Sequence, residues 1–258
     1  MKKLGAILIG LVSLYGRDTL VYLGSFDPGD RTLKDIWVVG NRAYLTAHGP
    51  PFDSSGGIIF LDLTDKTNPR EVNYFQLGWA HFIEVHDSLA YVTVYYRRSR
   101  LFIINVKDPK NPFIMGSVSV PSPRDIEIVD TICYVASPAG FFVINIKNPR
   151  SPFLVSECTV RKSCFFLKFH NGILYVTNQP FYAYLNSFDV TDPSNPIFLD
   201  SIRAPKYDPF SYSWIGSLDI YSNYAYCGSD SGLWIVTISD PTNLQRANLL
   251  VFDGYALK

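Results

Sequence analysis

Five ten-residue segments of this chain align without a gap, and each ends on tyrosine. They are DIWVVGNRAY (35–44), FIEVHDSLAY (82–91), DIEIVDTICY (125–134), FLKFHNGILY (166–175) and SLDIYSNYAY (217–226). The second and fourth positions are apolar in every copy, a period of two that belongs to a β-strand. A turn pair follows each time: Gly40-Asn41, Asp87-Ser88, Asp130-Thr131, Asn171-Gly172 and Ser222-Asn223. Such residues accept positive φ or bond their own backbone, so each segment predicts a tight hairpin.

A second set of five trails the first: GIIFLDLTD (57–65), RLFIINVKD (100–108), GFFVINIKN (140–148), YLNSFDVTD (184–192) and GLWIVTISD (232–240). Four run directly into proline, at Pro109, Pro149, Pro193 and Pro241. Proline has no N–H for a ladder and fixes φ, so it ends the strand. The terminal Asp or Asn falls at 65, 108, 148, 192 and 240, giving spacings of 43, 40, 44 and 48 residues. A short strand is predicted after each turn, for example over 72–77, 113–118, 153–158, 197–202 and 247–252.

Each repeat therefore carries four strands in about 45 residues, and one such sheet cannot bury both its faces alone. The fold class is all-β: a β-propeller of four-stranded antiparallel blades, with repeats over approximately 19–69, 70–112, 113–152, 153–196 and 197–253. The sequence resembles the LVIVD-repeat propellers, named for a pentapeptide in the third strand. The matching residues are Ile58 to Asp62, Leu101 to Asn105, Phe141 to Asn145, Leu185 to Asp189 and Leu233 to Thr237. The fourth copy departs by placing Asn186-Ser187 in the apolar run, and the last closes on Thr237 instead of an acid. The resemblance implies an exported or surface propeller and brings no catalytic residues with it.

Five copies imply a closed five-bladed ring, with a partial larger propeller as the alternative. Leu20 to Phe26 supplies one strand beyond the five outer ones. An open ring would leave apolar surface for association.

Met1-Lys2-Lys3 is a short basic start followed by a nearly unbroken apolar run from Leu4 to Tyr15. Residues 1–16 are read as a signal peptide and 17–258 as the propeller domain. An apolar first strand of a cytosolic protein is the alternative. Twelve residues of helix cover about 18 Å, short of the roughly 30 Å hydrocarbon core, so no integral membrane span is expected. The expected location is secreted, periplasmic or cell-surface. Cys133 and Cys227 fall inside strand patterns and read as buried free thiols. Cys158 and Cys164 are read either as free thiols or as a disulfide pair.

Composition narrows the partners. Lys plus Arg and Asp plus Glu both number 23 in 258 residues, for zero formal charge. A nucleic-acid surface needs a positive surplus, so nucleic acid is not expected. Aromatics are 15% of the chain, too many for the repeat tyrosines alone. The remainder concentrates where the repeats differ in length. From the repeat tyrosine to the third strand the intervals are 13, 9, 6, 9 and 6 residues, and the connection from 196 to 217 is also lengthened. These connections emerge at one face. Phe52, Tyr95, Tyr96, Arg97, Arg98, Phe181, Tyr182, Tyr207, Tyr212 and Trp214 lie on or near them. Aromatic and Arg side chains on loops over a rigid scaffold suit recognition. The expected function is a non-catalytic binding module for a protein, peptide or glycan. The alternative reading of these aromatics is as caps on the core beneath the loops.

Asp35, Asp125 and Asp219 fall on innermost strands, where bonds to neighbouring turns are the favoured role. Asp35, His81 and Asp125 are the weak metal candidates, and a metal-assisted hydrolase or lyase at a central channel mouth is the alternative function. His48 and His81 lie near the variable face. No H-E-x-x-H, Walker A, EF-hand or G-x-S-x-G pattern occurs, and no cofactor is expected.

Overall fold

The computed structural model describes residues 6–14, 17–49, 55–95, 99–160, 163–179, 183–205 and 215–251. It contains five four-stranded antiparallel sheets, each a meander in chain order. Blade one is β3 (Thr32–Val39), β4 (Arg42–His48), β5 (Gly57–Asp62) and β6 (Arg70–Gln76). Blade two is β7 (Trp79–His86), β8 (Leu89–Tyr95), β9 (Arg100–Asn105) and β10 (Phe113–Ser119). Blade three is β11 (Ile126–Val129), β12 (Ile132–Ser137), β13 (Gly140–Asn145) and β14 (Phe153–Thr159). Blade four is β15 (Ser163–His170), β16 (Ile173–Gln179), β17 (Tyr184–Asp189) and β18 (Ile197–Arg203). Blade five is β19 (Ile215–Tyr221), β20 (Tyr224–Ser229), β21 (Gly232–Thr237) and β22 (Gln245–Leu250). Ahead of them, β1 (Ala6–Leu14) pairs antiparallel with β2 (Arg17–Phe26) in a separate two-stranded sheet. The apolar start and the surplus strand of the sequence thus pair with each other, and β2 joins no blade sheet. The chain forms two compact units, Met1–Ser117 and Val118–Lys258.

The predicted turns adopt the backbone their residues favour. Gly40, Asp87, Ser88, Asp130, Asn171, Gly172 and Ser222 all have positive φ. At the same end of the blade, two Asx turns in series follow the third strand. Asp62 Oδ1 accepts the Thr64 N–H at 2.8 Å, and Asp65 Oδ1 accepts the Thr67 N–H at 3.0 Å. The pattern repeats at Asn105 and Asp108, Asn145 and Asn148, and Asp189 and Asp192, while Asp240 makes the single turn of blade five. The recurrent Asx residue before proline is therefore a turn-forming device.

The middle strands of blades one to four are buried almost continuously along their length, as expected for strands covered on both faces. The core lies between successive blades. In the first unit Tyr44, Ile58 and Phe60 of blade one pack with Ile83, Val85, Val92 and Phe102 of blade two. In the second, Tyr134, Phe141 and Val143 meet Leu167, Leu174 and Phe188. Tyr175 and Leu185 meet Leu218, Trp234 and Val236. The repeat tyrosines Tyr44, Tyr91, Tyr134 and Tyr175 are all buried. In blade five the strands alternate between buried and half-buried residues, and Tyr226 is half-buried.

The innermost strands are joined to their neighbours by side chains. The β7 register shifts between Ala80 and Ile83, which frees two amides. The Phe82 N–H donates to Thr93 Oγ1 at 3.0 Å and the Ile83 N–H to Asp35 Oδ2 of blade one at 2.9 Å. Blade four repeats the device at its own shift between Cys164 and Leu167. There the Phe166 N–H donates to Thr177 Oγ1 at 3.1 Å and the Leu167 N–H to Asp125 Oδ2 of blade three at 2.8 Å. Glu127 extends this seam by accepting from the Phe169 N–H and from Lys168 Nζ. Third and outer strands are tied in the same direction: Asn73 Nδ2 of β6 donates to the Pro109 carbonyl, Ser156 Oγ of β14 to that of Pro193 and Ser187 Oγ of β17 to that of Pro241.

All four thiols are free, so Cys158 and Cys164 form no disulfide. Burial pushes the Cys164 and Cys227 thiols up to about 12.

Replacing Asp125 with Ala strands the amide of the fully buried Leu167 and is expected to cost about 1–3 kcal/mol in urea unfolding. Asp219 is exposed and caps its own Ile220 N–H, so its Ala variant is expected to lose no more than about 0.5 kcal/mol. Equal losses at the two positions would contradict the inter-blade role.

Candidate functional site

In the first unit the strand ends opposite the hairpin turns bring a cluster of rings together. His48 is the last residue of β4, Trp79 opens β7, Tyr95 closes β8, and His81 and Phe82 occupy the register shift of β7. That shift turns consecutive side chains toward the same place. The His48 ring stacks on Trp79 with centroids 5.2 Å apart and on His81 at 5.6 Å. Phe82 meets His81 edge-on at 4.8 Å. Thr46 Oγ1 holds the backbone beneath by donating to the His81 carbonyl at 2.6 Å. Tyr95 lies opposite Trp79 in the ladder and is 41% exposed.

Burial, with smaller contributions from nearby Lys34 and His81, holds the His48 imidazole down to about 4. Among the described residues, His48 Nε2 and the Nε of Arg100, which opens β9, are buried and make no hydrogen bond. His48 is thus a neutral ring within a stacked aromatic cluster, with the cationic Lys34 close by. Such a cluster suits contact with a flat or apolar group.

The sequence candidates fall unevenly. Phe52, Tyr96, Arg97, Arg98, Phe181, Tyr182, Tyr207, Tyr212 and Trp214 lie outside the described residues. Tyr95 is described and exposed. His81 enters the ring cluster. Asp35 uses Oδ1 to accept the Ile36 N–H and Oδ2 to accept the Ile83 N–H, so both its oxygens serve the inner strands. Asp125 lies in the second unit and bonds Leu167. Bonds to the next blade's strand, and not to a turn, explain both carboxylates. Among the described residues no three His, Cys, Asp or Glu side chains gather closely enough to hold a metal ion. Trp79 escaped the sequence reading because its stacking partner is 31 residues away, and no local pattern marks that contact.

Comparison with known proteins places this geometry. No curated protein matches the sequence. Among solved structures, the periplasmic gluconolactonase PpgL of Pseudomonas aeruginosa superposes with a TM-score of 0.75 at 10% identity, covering 92% of this chain and 77% of its own. The β-propeller domain of Cps50 (Swd1) from Myceliophteria thermophila gives 0.59 at 11% identity, covering 90% and 77%. A functionally unknown protein from Desulfotomaculum acetoxidans gives 0.70 at 12%, covering 94% and 79%. The chain is a β-propeller built of four-stranded blades. Its residues 122–160, in the third blade, and 216–247, in the fifth, match the LVIVD repeat. Among the described residues no helix is long and apolar enough to cross a membrane.

The depressed His48 imidazole makes stability depend on acid. Its folded value lies below the unfolded one of about 6.5, so only the unfolded chain takes up this proton between about pH 6.5 and 4. Stability is expected to fall as pH drops through that window, to level off below it, and to be insensitive to this group above it. His48→Gln should flatten the window in thermal melts at stepped pH; an unchanged slope would contradict the assignment.

Proposed function

We propose that this chain is a non-catalytic propeller that binds a protein, peptide or glycan through its loop face, after export to the periplasm, the cell surface or the medium. The observation that carries the reading is the ring cluster of His48, Trp79 and His81, with Tyr95 exposed beside it, at the strand ends where connections lengthen. A rigid sheet scaffold fixes the base of such loops, and aromatic side chains give large contact areas with little entropy loss. The likeness to a gluconolactonase at 10% identity is one of fold and carries no activity to this chain. A metal-assisted hydrolase or lyase built on Asp35, His81 and Asp125 has weaker support, because the two carboxylates are engaged by backbone amides.

Closure of the five blades into one ring belongs to the same reading. A ring is expected to behave as a protease-resistant monomer, whereas persistent aggregation would count against it.

The test is affinity capture with the full chain from native-host extracts, followed by the joint variant Tyr95→Ala, Tyr96→Ala, Tyr182→Ala and Trp214→Ala. Recovery of the specific partner is expected to drop at least about tenfold, as for loss of two or more interface anchors. An unchanged set of captured molecules would overturn the loop-face reading. N-terminal sequencing of native-host protein reads export: a start near residue 17 supports it, and retained Met1 contradicts it.

A further inference from the structure

A cavity of about 480 Å³ opens between blades one and two at their hairpin-turn end, away from the ring cluster. Its origin lies in one position of the repeat. The first residue of the second strand is Leu89, Ile132 and Ile173 in blades two, three and four, but Arg42 in blade one. Ile132 packs against the core between blades three and four, and Ile173 against the core between blades four and five. Each plugs its gap. Arg42 is exposed and its Nη1 reaches the Lys107 carbonyl of blade two at 3.2 Å, so the gap beneath it is unfilled. Tyr44 and Phe60, in edge contact at 5.5 Å, line the interior together with Val85 and Val106.

The mouth carries two carboxylates. Asp62 and Asp87 both line it. The Thr64 side chain and amide lower the Asp62 carboxyl from its ordinary value, which favours its charged form. Arg42 is the cation in the lining; it lies in the field of both Asp62 and Asp108, and a carbonyl takes one of its N–H groups, while Arg70, opposite Asp62 in the ladder, also acts on that carboxylate. Apolar walls with an aromatic pair and a carboxylate on each blade fit an apolar body carrying one positive charge. The volume falls in the range of small-molecule sites.

We propose that this inter-blade cavity binds small organic amines, with the apolar body against Tyr44 and Phe60 and the ammonium at Asp62 and Asp87. The site is independent of the loop face and does not depend on what that face recognises.

The experiment titrates the full chain by NMR with 2-phenylethylamine, and separately with 3-phenylpropionate, which has a similar body and the opposite charge. Saturable amine binding is expected, with the carboxylate weaker by about fivefold or more, the scale of an exposed charge pair. Arg42→Leu restores the plug and is expected to remove amine binding with no loss of thermal midpoint. Should that variant misfold, the pair Asp62→Asn and Asp87→Asn keeps the turn chemistry and is expected to weaken the amine to the level of the carboxylate. Equal binding of amine and carboxylate would overturn the proposal, as would absence of saturable binding or undiminished amine binding in either folded variant.

Discussion

Everything in this protein follows from the inability of a four-stranded sheet to bury two apolar faces without neighbours. The second and third strands of the first four blades are buried on both sides and largely apolar. The favourable burial that offsets chain entropy therefore lies in the gaps between blades. Apolar contact alone does not specify register, because apolar surfaces slide. The carboxylates of Asp35 and Asp125 remove that freedom. Each reaches across a gap to one backbone amide that the neighbouring strand's register shift has freed. Thr93 and Thr177 satisfy the adjacent amide from within the same blade. Shift, threonine and preceding aspartate form one device, used once in each unit.

The same logic explains where function can reside. The hairpin and proline turns are fixed by local chemistry, positive φ at one and Asx pairs at the other. They can vary little. The opposite strand ends have no such constraint, and there the connections lengthen and the ring cluster assembles. The inter-blade cavity obeys the rule differently: it lies where blade one carries Arg42 at the position that Leu89, Ile132 and Ile173 hold in blades two to four.

The strands and turns were legible in the sequence because they rest on local signals, namely period two, turn pairs and proline. The repeat tyrosine announced a core position, and the buried Tyr44, Tyr91, Tyr134 and Tyr175 occupy one. The aspartates were less legible. Asp35 and Asp125 were recognisable as hydrogen-bonding residues, but their partners 48 and 42 residues away depend on how blades stack. The pairing of Ala6–Leu14 with Arg17–Phe26 competes with the export reading of the same apolar run, since apolarity alone suits either. Of the candidate site, Tyr95 and His81 were legible as residues. The stack of His48 on both Trp79 and His81 was not, because it depends on a register shift that no local pattern announces.

The central claim is that aspartates of one blade hold the inner strand of the next. Native-state hydrogen exchange of the Ile83 and Leu167 amides tests it most directly. If the claim holds, both are protected to within about tenfold of central-strand amides such as those of Val92 and Val176, since all open in the same cooperative event. Exchange of Ile83 and Leu167 as fast as that of an exposed turn amide, with the central strands still protected, would contradict it.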